Sequence, residues 1–245
     1  MSMLNDRVAL VTGAGRGLGL EVARQLAGEG ATVLVSARTA GQARTSSDQL
    51  RAAGDVRALP VDLDISHPNA GAAAATAVES TTGRLDILIN NAAAFVDWNE
   101  LGSSADLTQA ERVMATNLFG AWRLIQALLP MLRQSAHPRI VNVSSGAGSH
   151  GDEAFGLTRR GGAAATYGIS KAALNALTST LAAELADTPV IINSTCPGLT
   201  ATWPGAEQMG ARPIPEGAAS IVWAAALDDN GPRGGFYRDG NPLAW

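Results

Sequence analysis

The chain has 245 residues, of which 46% are apolar and 16% are charged, and its formal net charge is −4. This length and apolar content suffice for one large globular domain, and the negative charge gives no electrostatic footprint for nucleic acid or an anionic membrane surface. The amino-terminal segment carries charges at Asp6 and Arg7 and then reaches a glycine turn, so we expect neither a signal peptide nor a membrane span.

The cysteine and histidine content bears on disulfides and on metal sites. Cys196 is the single cysteine, and the three histidines, at positions 67, 137 and 150, are scattered. A lone cysteine forms no intramolecular disulfide, which is typical of a reducing cytoplasm. We therefore expect a cytoplasmic protein without a protein-built metal site.

Short apolar runs alternate along the chain with alanine-rich stretches. Strands that are apolar throughout and separated by helices indicate a parallel sheet covered on both faces. We expect one α/β domain over 1–245, a doubly wound Rossmann fold with a mostly parallel sheet of about seven strands. The predicted strands are 7–12, 31–37, 56–62, 85–90, 139–145 and 189–196, and the predicted helices are about 17–29, 70–78, 106–135 and 166–187.

A glycine-rich turn follows the first predicted strand. Its pattern is T-G-x-x-x-G-x-G, formed by Thr12, Gly13, Gly17 and Gly19. Between a strand and a helix, such a turn lets backbone N–H groups approach a pyrophosphate at the positive end of the helix. The alternative is a turn that only packs the helix on the strand.

Two arginines accompany this turn. Arg16 lies inside it, and Arg38 follows the second predicted strand, where no acidic residue is found. A carboxylate at that place would bind the adenosine 2′-hydroxyl of NAD, whereas arginine favours the 2′-phosphate of NADP. We expect a preference for NADP (NADPH), with NAD possible, unless both arginines are ordinary surface residues.

The stretch AAATYGISKAALNAL contains the only lysine among 18 basic residues, Lys171. It stands four positions after Tyr167, one of only two tyrosines, so both side chains lie on one face of a helix. Because arginine supplies the positive charge everywhere else, this lysine indicates a chemical task that arginine cannot perform. The alternative is an exposed Tyr–Lys pair.

Six motifs occur in the order and near the spacing typical of one enzyme family: TGAGRGLG, NNAA, TNLFG, VNVSS, YGISK and CPG. Together they resemble the short-chain dehydrogenase/reductase family over nearly the whole chain. The carboxyl-terminal tail further resembles carbonyl-reductase-like members. The resemblance implies a dinucleotide-binding half over about 1–135 and a catalytic and substrate-binding half over about 136–245.

The resemblance also implies the catalytic set. Tyr167 is expected to give a proton to the alkoxide as hydride reaches the carbonyl, and Lys171 to lower the pKa of that phenol and bind the nicotinamide ribose. A free phenol has a pKa of about 10, and bringing it near neutrality requires about 4 kcal/mol. Ser145, the second serine of VNVSS, is expected to polarise the carbonyl. Asn117 is expected to kink its helix and hold a relay water, unless it is only a polar break in the helix.

Further residues are expected at the cofactor by alignment with the family. Asp62 corresponds to an acidic residue at the adenine amino group, Asn90 to an asparagine after the fourth strand, and Thr202 to a residue near the nicotinamide carboxamide. The full expected set is Gly13, Arg16, Gly17, Leu18, Gly19, Arg38, Asp62, Leu63, Asn90, Tyr167, Lys171, Pro197, Gly198 and Thr202.

The sequence departs from the family pattern at two places. Ala93 puts a methyl group where glycine usually lets the backbone pass the cofactor, and Ser145 precedes Tyr167 by 22 positions, about nine more than in compact members. The extra loop, within 146–162, is expected to bulge over the substrate side. Neither departure removes a catalytic group.

The substrate site is expected between two aromatic segments. Prolines and glycines bracket the segment 203–215, which suits a mobile lid. Trp203 and Met209 on this lid, with Phe95 and Trp98 opposite, would form an apolar pocket for an uncharged, hydrophobic ketone or aldehyde. Arg159 and Arg160 in the extra loop argue for an anionic substrate instead. Singly, each tryptophan is as well explained by packing.

Two other functions share these motifs. A catalytically silent redox sensor would keep the fold and typically lose the tyrosine or lysine, and both are present here. A sugar-nucleotide epimerase also uses a Tyr–Lys pair, but it has a longer chain and a differently spaced glycine turn. The natural substrate stays open. In the family the predicted helices 106–135 and 166–187 form a homodimer or homotetramer interface, so either assembly is compatible with this chain.

Overall fold

The computed structural model describes residues 4–245, which form one eight-stranded sheet with helices on both faces. The strand order is β3-β2-β1-β4-β5-β6-β7-β8. All neighbours pair in parallel except β7 and β8, which pair antiparallel. The strands are β1 Val8–Val11, β2 Thr32–Val35, β3 Val56–Ala58, β4 Ile87–Asn90, β5 Arg139–Val143, β6 Ile191–Thr195, β7 Phe236–Arg238 and β8 Asn241–Pro242.

Seven α-helices cover this sheet. They are α1 Gly17–Gly28, α2 Ala40–Leu50, α3 Ala70–Thr82, α4 Leu107–Met114, α5 Ala121–Leu132, α6 Ala165–Glu184 and α7 Ile214–Ala225. The single α/β domain and the mostly parallel sheet confirm the predicted fold class. The eighth strand has only two residues, too few to leave an alternating pattern in the sequence.

The core divides into two apolar layers because side chains alternate along each strand. Leu10 and Leu88 point into the layer under α3, α5 and α6. Their neighbours Val11 and Ile89 point into the layer under α1 and α7. This double coverage explains why the strand sequences are apolar without interruption.

The predicted helix over 106–135 is divided in the structure. Between α4 and α5 the segment Ala115–Gly120 is a π-helix, in which one extra residue is accommodated in the turn. Gly71 on α3 faces this region, and a Cβ there would lie 2.8 Å from the Arg123 carbonyl oxygen. The glycine therefore allows α3 and α5 to approach closely.

Within residues 4–245, no helix is both long enough and apolar enough to cross a membrane.

A charged cluster stabilises the amino-terminal edge of β5, opposite the carboxyl ends of the strands. Arg139 is 2% exposed and donates to Asp229 Oδ1 at 2.7 Å and to the Leu227 carbonyl oxygen. His137 Nδ1 lies 2.8 Å from the same carboxylate. The hydrogen bond from Arg139, followed by that from His137, lowers the pKa of Asp229 from 3.8 to about 2.

Replacement of Asp229 by asparagine should destabilise the fold in a pH-dependent manner. Because the folded-state pKa is lowered, the carboxylate contributes its full stability above pH 4 and loses it as the pH falls toward 2. We expect Asp229→Asn to cost about 1 kcal/mol at pH 7, since the carboxylate is half-exposed. Urea denaturation at pH 7, 4 and 2.5 should show this deficit shrinking with acidity.

The matched control is Asp48→Asn, which removes an exposed carboxylate paired with Arg51 on α2. It should change the unfolding free energy little at any of these pH values. A deficit of Asp229→Asn that is constant from pH 7 to 2.5 would contradict the assignment of the effect to the carboxylate charge.

Candidate active site

The glycine turn joins β1 to α1 at the carboxyl edge of the sheet. Gly13 has φ +65°, and a Cβ there would lie 2.8 Å from Ala92 Cα, so only glycine fits. Arg16 occupies the N-cap position of α1 without a side-chain hydrogen bond to the helix. The first N–H groups of α1, including those of Gly17, Leu18 and Gly19, are thus left without a side-chain cap at the positive end of the helix.

Asn91 connects this turn to the end of β4. Its side-chain Nδ2 donates to the carbonyl oxygens of Thr12 at 2.8 Å and Gly13 at 3.3 Å. The Thr12 hydroxyl in turn accepts from the N–H groups of Asn91 and Ala92. Asn91 was not predicted from the sequence, where its signal is the second asparagine of NNAA. Asn90, which we singled out, is buried and donates to Asn142 Oδ1 at 2.9 Å.

The side chains expected at the adenosine end lie along the neighbouring loops. Arg16 and Arg38 are exposed, and within residues 4–245 neither guanidinium forms an ion pair or a side-chain hydrogen bond. Asp62 accepts from the Ala40 N–H at 2.6 Å and so supports the start of α2. The backbone N–H of Leu63 donates to the Ala37 carbonyl oxygen. Two free arginines beside an uncapped helix suit a phosphorylated ligand.

Asn117 lies in the π-helix and is nearly fully buried. Its amide accepts from the Ala94 N–H at 2.7 Å, donates to the Ala94 carbonyl oxygen, and donates to Ser170 Oγ at 2.9 Å. Ser170 Oγ donates to the Tyr167 carbonyl oxygen. Asn117 therefore links the segment after NNAA to the helix that carries Tyr167. The helix changes to π-type at Asn117, where we expected a kink.

Of the two serines after β5, only Ser145 faces the candidate site. Ser144 is buried, and its Oγ donates to the Lys171 carbonyl oxygen at 3.4 Å. Ser145 Oγ accepts from the Ala147 N–H at 3.2 Å, and its hydroxyl interacts with Tyr167. The two adjacent side chains thus have different partners, since the extended backbone turns them to opposite sides.

Tyr167 and Lys171 occupy the first two turns of α6 and are both buried. Lys171 Nζ donates to the Val143 carbonyl oxygen at 2.8 Å and lies 5.6 Å from the centre of the Tyr167 ring. The pair shares one helix face, as i and i+4 positions must. The alternative of an exposed pair does not describe this arrangement.

Burial dominates the electrostatics of both groups. It raises the pKa of Tyr167, the nearby Cys196 sulfur adds to the effect, and a hydrogen bond with Ser145 opposes it. Burial lowers the pKa of Lys171 to about 8. We expected Lys171 to lower the pKa of the phenol, and the structure differs because the desolvation of the phenolate outweighs other influences. The phenol therefore holds its proton at neutral pH, which is the form that an acid requires.

Aromatic side chains cover the Tyr167 ring. Phe95 stacks on it at 5.2 Å between ring centres, and Trp98 meets its edge at 5.4 Å. Trp203, on the opposite segment, stacks on Trp98 at 6.1 Å. Met209 lies in a short 3-10 turn and is 65% exposed. Two of the four side chains expected at the substrate thus contact Tyr167, and Trp203 is connected to them through Trp98.

The segment after β6 leads from the candidate site to the segment 203–215. The Pro197 carbonyl oxygen accepts from Arg212 Nε at 2.7 Å, and Gly198 has φ +71° beside that guanidinium. Thr202 lies over the glycine turn, since a Cβ at Gly17 would be 3.9 Å from its methyl group. Arg212 was not predicted from the sequence, and its guanidinium also donates to both carboxylate oxygens of Asp239.

Glu100 is a second residue that the sequence analysis missed. Its carboxylate accepts from the Thr166 N–H at 2.9 Å and caps the first turn of α6. Its backbone carbonyl accepts from the Ala165 N–H, and Leu101 pairs with Ala163. The segment that carries Phe95 and Trp98 is thereby attached to the helix that carries Tyr167.

This arrangement can be compared with known proteins. The sequence model described as short chain dehydrogenase matches residues 7–209. The chain belongs to this family. The short-chain dehydrogenase is 38% identical to the rhamnolipids biosynthesis 3-oxoacyl-[acyl-carrier-protein] reductase of Pseudomonas aeruginosa, over 80% of this chain and 73% of the relative.

Two solved structures resemble this short-chain dehydrogenase over nearly their whole length. The Pseudomonas aeruginosa RhlG/NADP active-site complex has a TM-score of 0.83 and 32% identity, covering 97% of this chain and 96% of the other. The NADPH-bound carbonyl reductase from chicken fatty liver has a TM-score of 0.84 and 27% identity, covering 99% and 100%. Oxidoreduction is the chemistry of this family.

Lys171→Arg should abolish most activity of this short-chain dehydrogenase although it keeps the positive charge. The ammonium is buried beside the Val143 carbonyl, and a planar guanidinium does not fit the same point.

Tyr167→Phe should bind cofactor normally and turn over about 100-fold more slowly, as expected when a general acid is lost. Steady-state NADPH oxidation with a saturating carbonyl substrate measures the turnover rates of the Lys171→Arg and Tyr167→Phe variants.

Arg51→Lys is the matched control, because Arg51 is exposed on α2 and pairs only with Asp48. It should retain the wild-type rate. Near-wild-type turnover by Lys171→Arg would show that the single lysine is not required for its chemistry.

Proposed function

We propose that this protein is an NADPH-dependent carbonyl reductase acting on uncharged, fairly hydrophobic ketones or aldehydes, with reversible alcohol oxidation. The observation that carries the proposal is the Tyr167 phenol, held with Ser145 and Lys171 and covered by Phe95 and Trp98. A redox sensor would not need this buried proton donor. The presence of both an NADPH-bound carbonyl reductase and a 3-oxoacyl reductase among its relatives supports the reductase class.

The residues at the glycine turn fit a phosphorylated dinucleotide. The uncapped amino end of α1 suits the pyrophosphate, and the unpaired Arg16 and Arg38 suit a 2′-phosphate. Asp62 and Leu63 would meet the adenine, while Asn90, Pro197, Gly198 and Thr202 line the nicotinamide end. We assign dinucleotide binding to about 1–135 and most of the catalytic and substrate-binding groups to about 136–245.

NADPH, when bound, would supply the hydride, and the protein's own groups act on the carbonyl oxygen. Ser145 donates a hydrogen bond to that oxygen and polarises the carbonyl. Tyr167 transfers its phenolic proton to the same oxygen as negative charge develops there. Because burial raises the pKa of the phenol, it remains protonated until a strongly basic alkoxide is available. Lys171 places a buried positive charge beside the phenolate that results.

Asn117 and Glu100 keep these groups in place. Asn117 joins the Ala94 backbone to Ser170 on α6, and Glu100 caps the same helix one residue before Tyr167. Both connections fix the catalytic helix against the aromatic segment. We also propose that Asn117 supports the relay of a proton from Lys171 to solvent.

Arg38→Asp should shift cofactor preference from NADPH toward NADH. The new carboxylate repels the 2′-phosphate and can bind the 2′-hydroxyl instead. We expect NADPH to bind at least about tenfold more weakly, which corresponds to about 1.4 kcal/mol, and NADH to bind more tightly. Fluorescence titration of each cofactor measures this without turnover.

Arg44→Asp introduces the same charge change at an exposed position of α2. It should leave the ratio of the two dissociation constants near the wild-type value. A wild-type protein that prefers NADH at equal concentrations would overturn the assigned cofactor.

Substrate class can be decided by comparing an aryl ketone with a keto acid of similar size. The aromatic cover of Tyr167 offers apolar contact and no fixed cation, so kcat/KM should be at least about tenfold higher for the ketone. Arg159 and Arg160 are exposed in the extra loop, and changing them to alanine should leave the ketone rate unchanged.

The opposite result would be a strong preference for the keto acid that is lost in Arg159→Ala or Arg160→Ala. That outcome would replace the hydrophobic carbonyl by an anionic substrate. Tight NADPH binding without oxidation by any carbonyl compound would instead favour the redox sensor.

A further inference from the structure

A partly buried ion pair lies beneath the loop that follows Ser145. Arg238, at the end of β7, donates from Nη2 to Asp152 Oδ2 at 2.5 Å. The same nitrogen donates to Cys196 Sγ at 3.2 Å. The Asp152 side chain is 3% exposed, and that of Arg238 is 27% exposed. The pair therefore joins three parts of the chain that are distant in sequence.

This ion pair packs directly against the residue after Ser145. A Cβ at Gly146 would lie 2.3 Å from Asp152 Oδ2 and 2.6 Å from Arg238 Nη2. The Gly146 N–H donates to Cys196 Sγ at 3.2 Å. The backbone on the carboxyl side of Ser145 is thus held by a hydrogen bond and by contact with both charged groups.

The loop is also fixed around Asp152 itself. Its Oδ1 accepts from the N–H groups of Ala154 and Phe155, at 2.9 and 2.8 Å. The Asp152 N–H donates to Ser149 Oγ, and that hydroxyl donates to the Ala244 carbonyl oxygen at 2.6 Å. One carboxylate oxygen therefore shapes the loop while the other receives Arg238.

We propose that Arg238, through Asp152 and Cys196, is a positioning residue that holds Ser145 in place relative to Tyr167. This inference rests on the proposed carbonyl reduction. Arg238 acts through the backbone at Gly146. The physical reason is that displacement of a reacting group by about 1 Å can lower a rate about 100-fold.

The first test is steady-state kinetics at saturating NADPH with the best ketone found for the wild type. Arg238→Ala should lower kcat about 10- to 100-fold while the dissociation constant of NADPH changes less than about twofold. Arg238→Lys should recover part of the loss, because an ammonium can still pair with Asp152. Arg233→Ala removes an arginine of the same carboxyl-terminal region that donates only to the carbonyls of Ala186 and Thr188, and it should behave as wild type.

The second test separates positioning from general damage. In a Ser145→Ala background the hydroxyl to be positioned is absent, so Arg238→Ala should cause little further loss of kcat. An equal loss in both backgrounds would show that Arg238 does not act through Ser145 and would overturn the proposal. Wild-type kcat in Arg238→Ala would also overturn it. If Arg238→Ala does not fold, Asp152→Asn replaces it in both backgrounds, since the amide keeps the acceptor for the loop.

A third measurement does not depend on turnover. Cys196 is the single cysteine and is buried, so iodoacetamide labelling reports on this one thiol. Labelling should be at least about tenfold faster in Arg238→Ala than in Arg233→Ala, because opening of the loop exposes the thiol. If the wild type reduces no carbonyl compound, the proposed function fails. If the labelling rate of Arg238→Ala equals that of Arg233→Ala, the role of Arg238 in holding the loop is overturned.

Discussion

The connection between Thr12 and Asn91 is the interaction on which the rest of the site depends. In the strand order, β1 and β4 are neighbours although β2 and β3 lie between them in sequence, so a crevice opens where their connections diverge. Thr12 and Asn91 satisfy the backbone groups at both strand ends of that crevice. These hydrogen bonds fix the glycine turn after β1 and the start of the segment that follows β4.

A second constraint is the burial of two titratable groups in one helix. Desolvation favours the neutral form of each, which raises the pKa of Tyr167 and lowers that of Lys171 to about 8. The two shifts suit one direction of chemistry: the phenol keeps its proton for the alkoxide, and oxidation of an alcohol requires the opposite protonation state. Within the proposed function, a protonated phenol at neutral pH is the form that reduction of a carbonyl needs.

Much of the fold was accessible from the sequence because its signals are local. The turn between β1 and α1 needs glycine at fixed positions, and the Tyr167–Lys171 spacing follows from helix geometry. What the sequence did not indicate depends on distant contacts. Glu100 caps a helix 66 positions away, and Arg238 meets Asp152 86 positions away. The hydrogen bonds between the Asn117 amide and the Ala94 backbone, within the π-helix, likewise join residues 23 positions apart.

These distant contacts explain how an extended loop after Ser145 is compatible with a well-ordered site. A longer loop has more conformations to lose on folding, so each added residue must be offset by a contact. Asp152 supplies several at once, by accepting from two loop amides and from Arg238. The segment that carries Phe95 and Trp98 is fixed in a similar manner. Asn117 binds its start at Ala94, and Glu100 binds the first turn of α6 at its end. The extra length is therefore compatible with fixed positions of Ser145 and Tyr167.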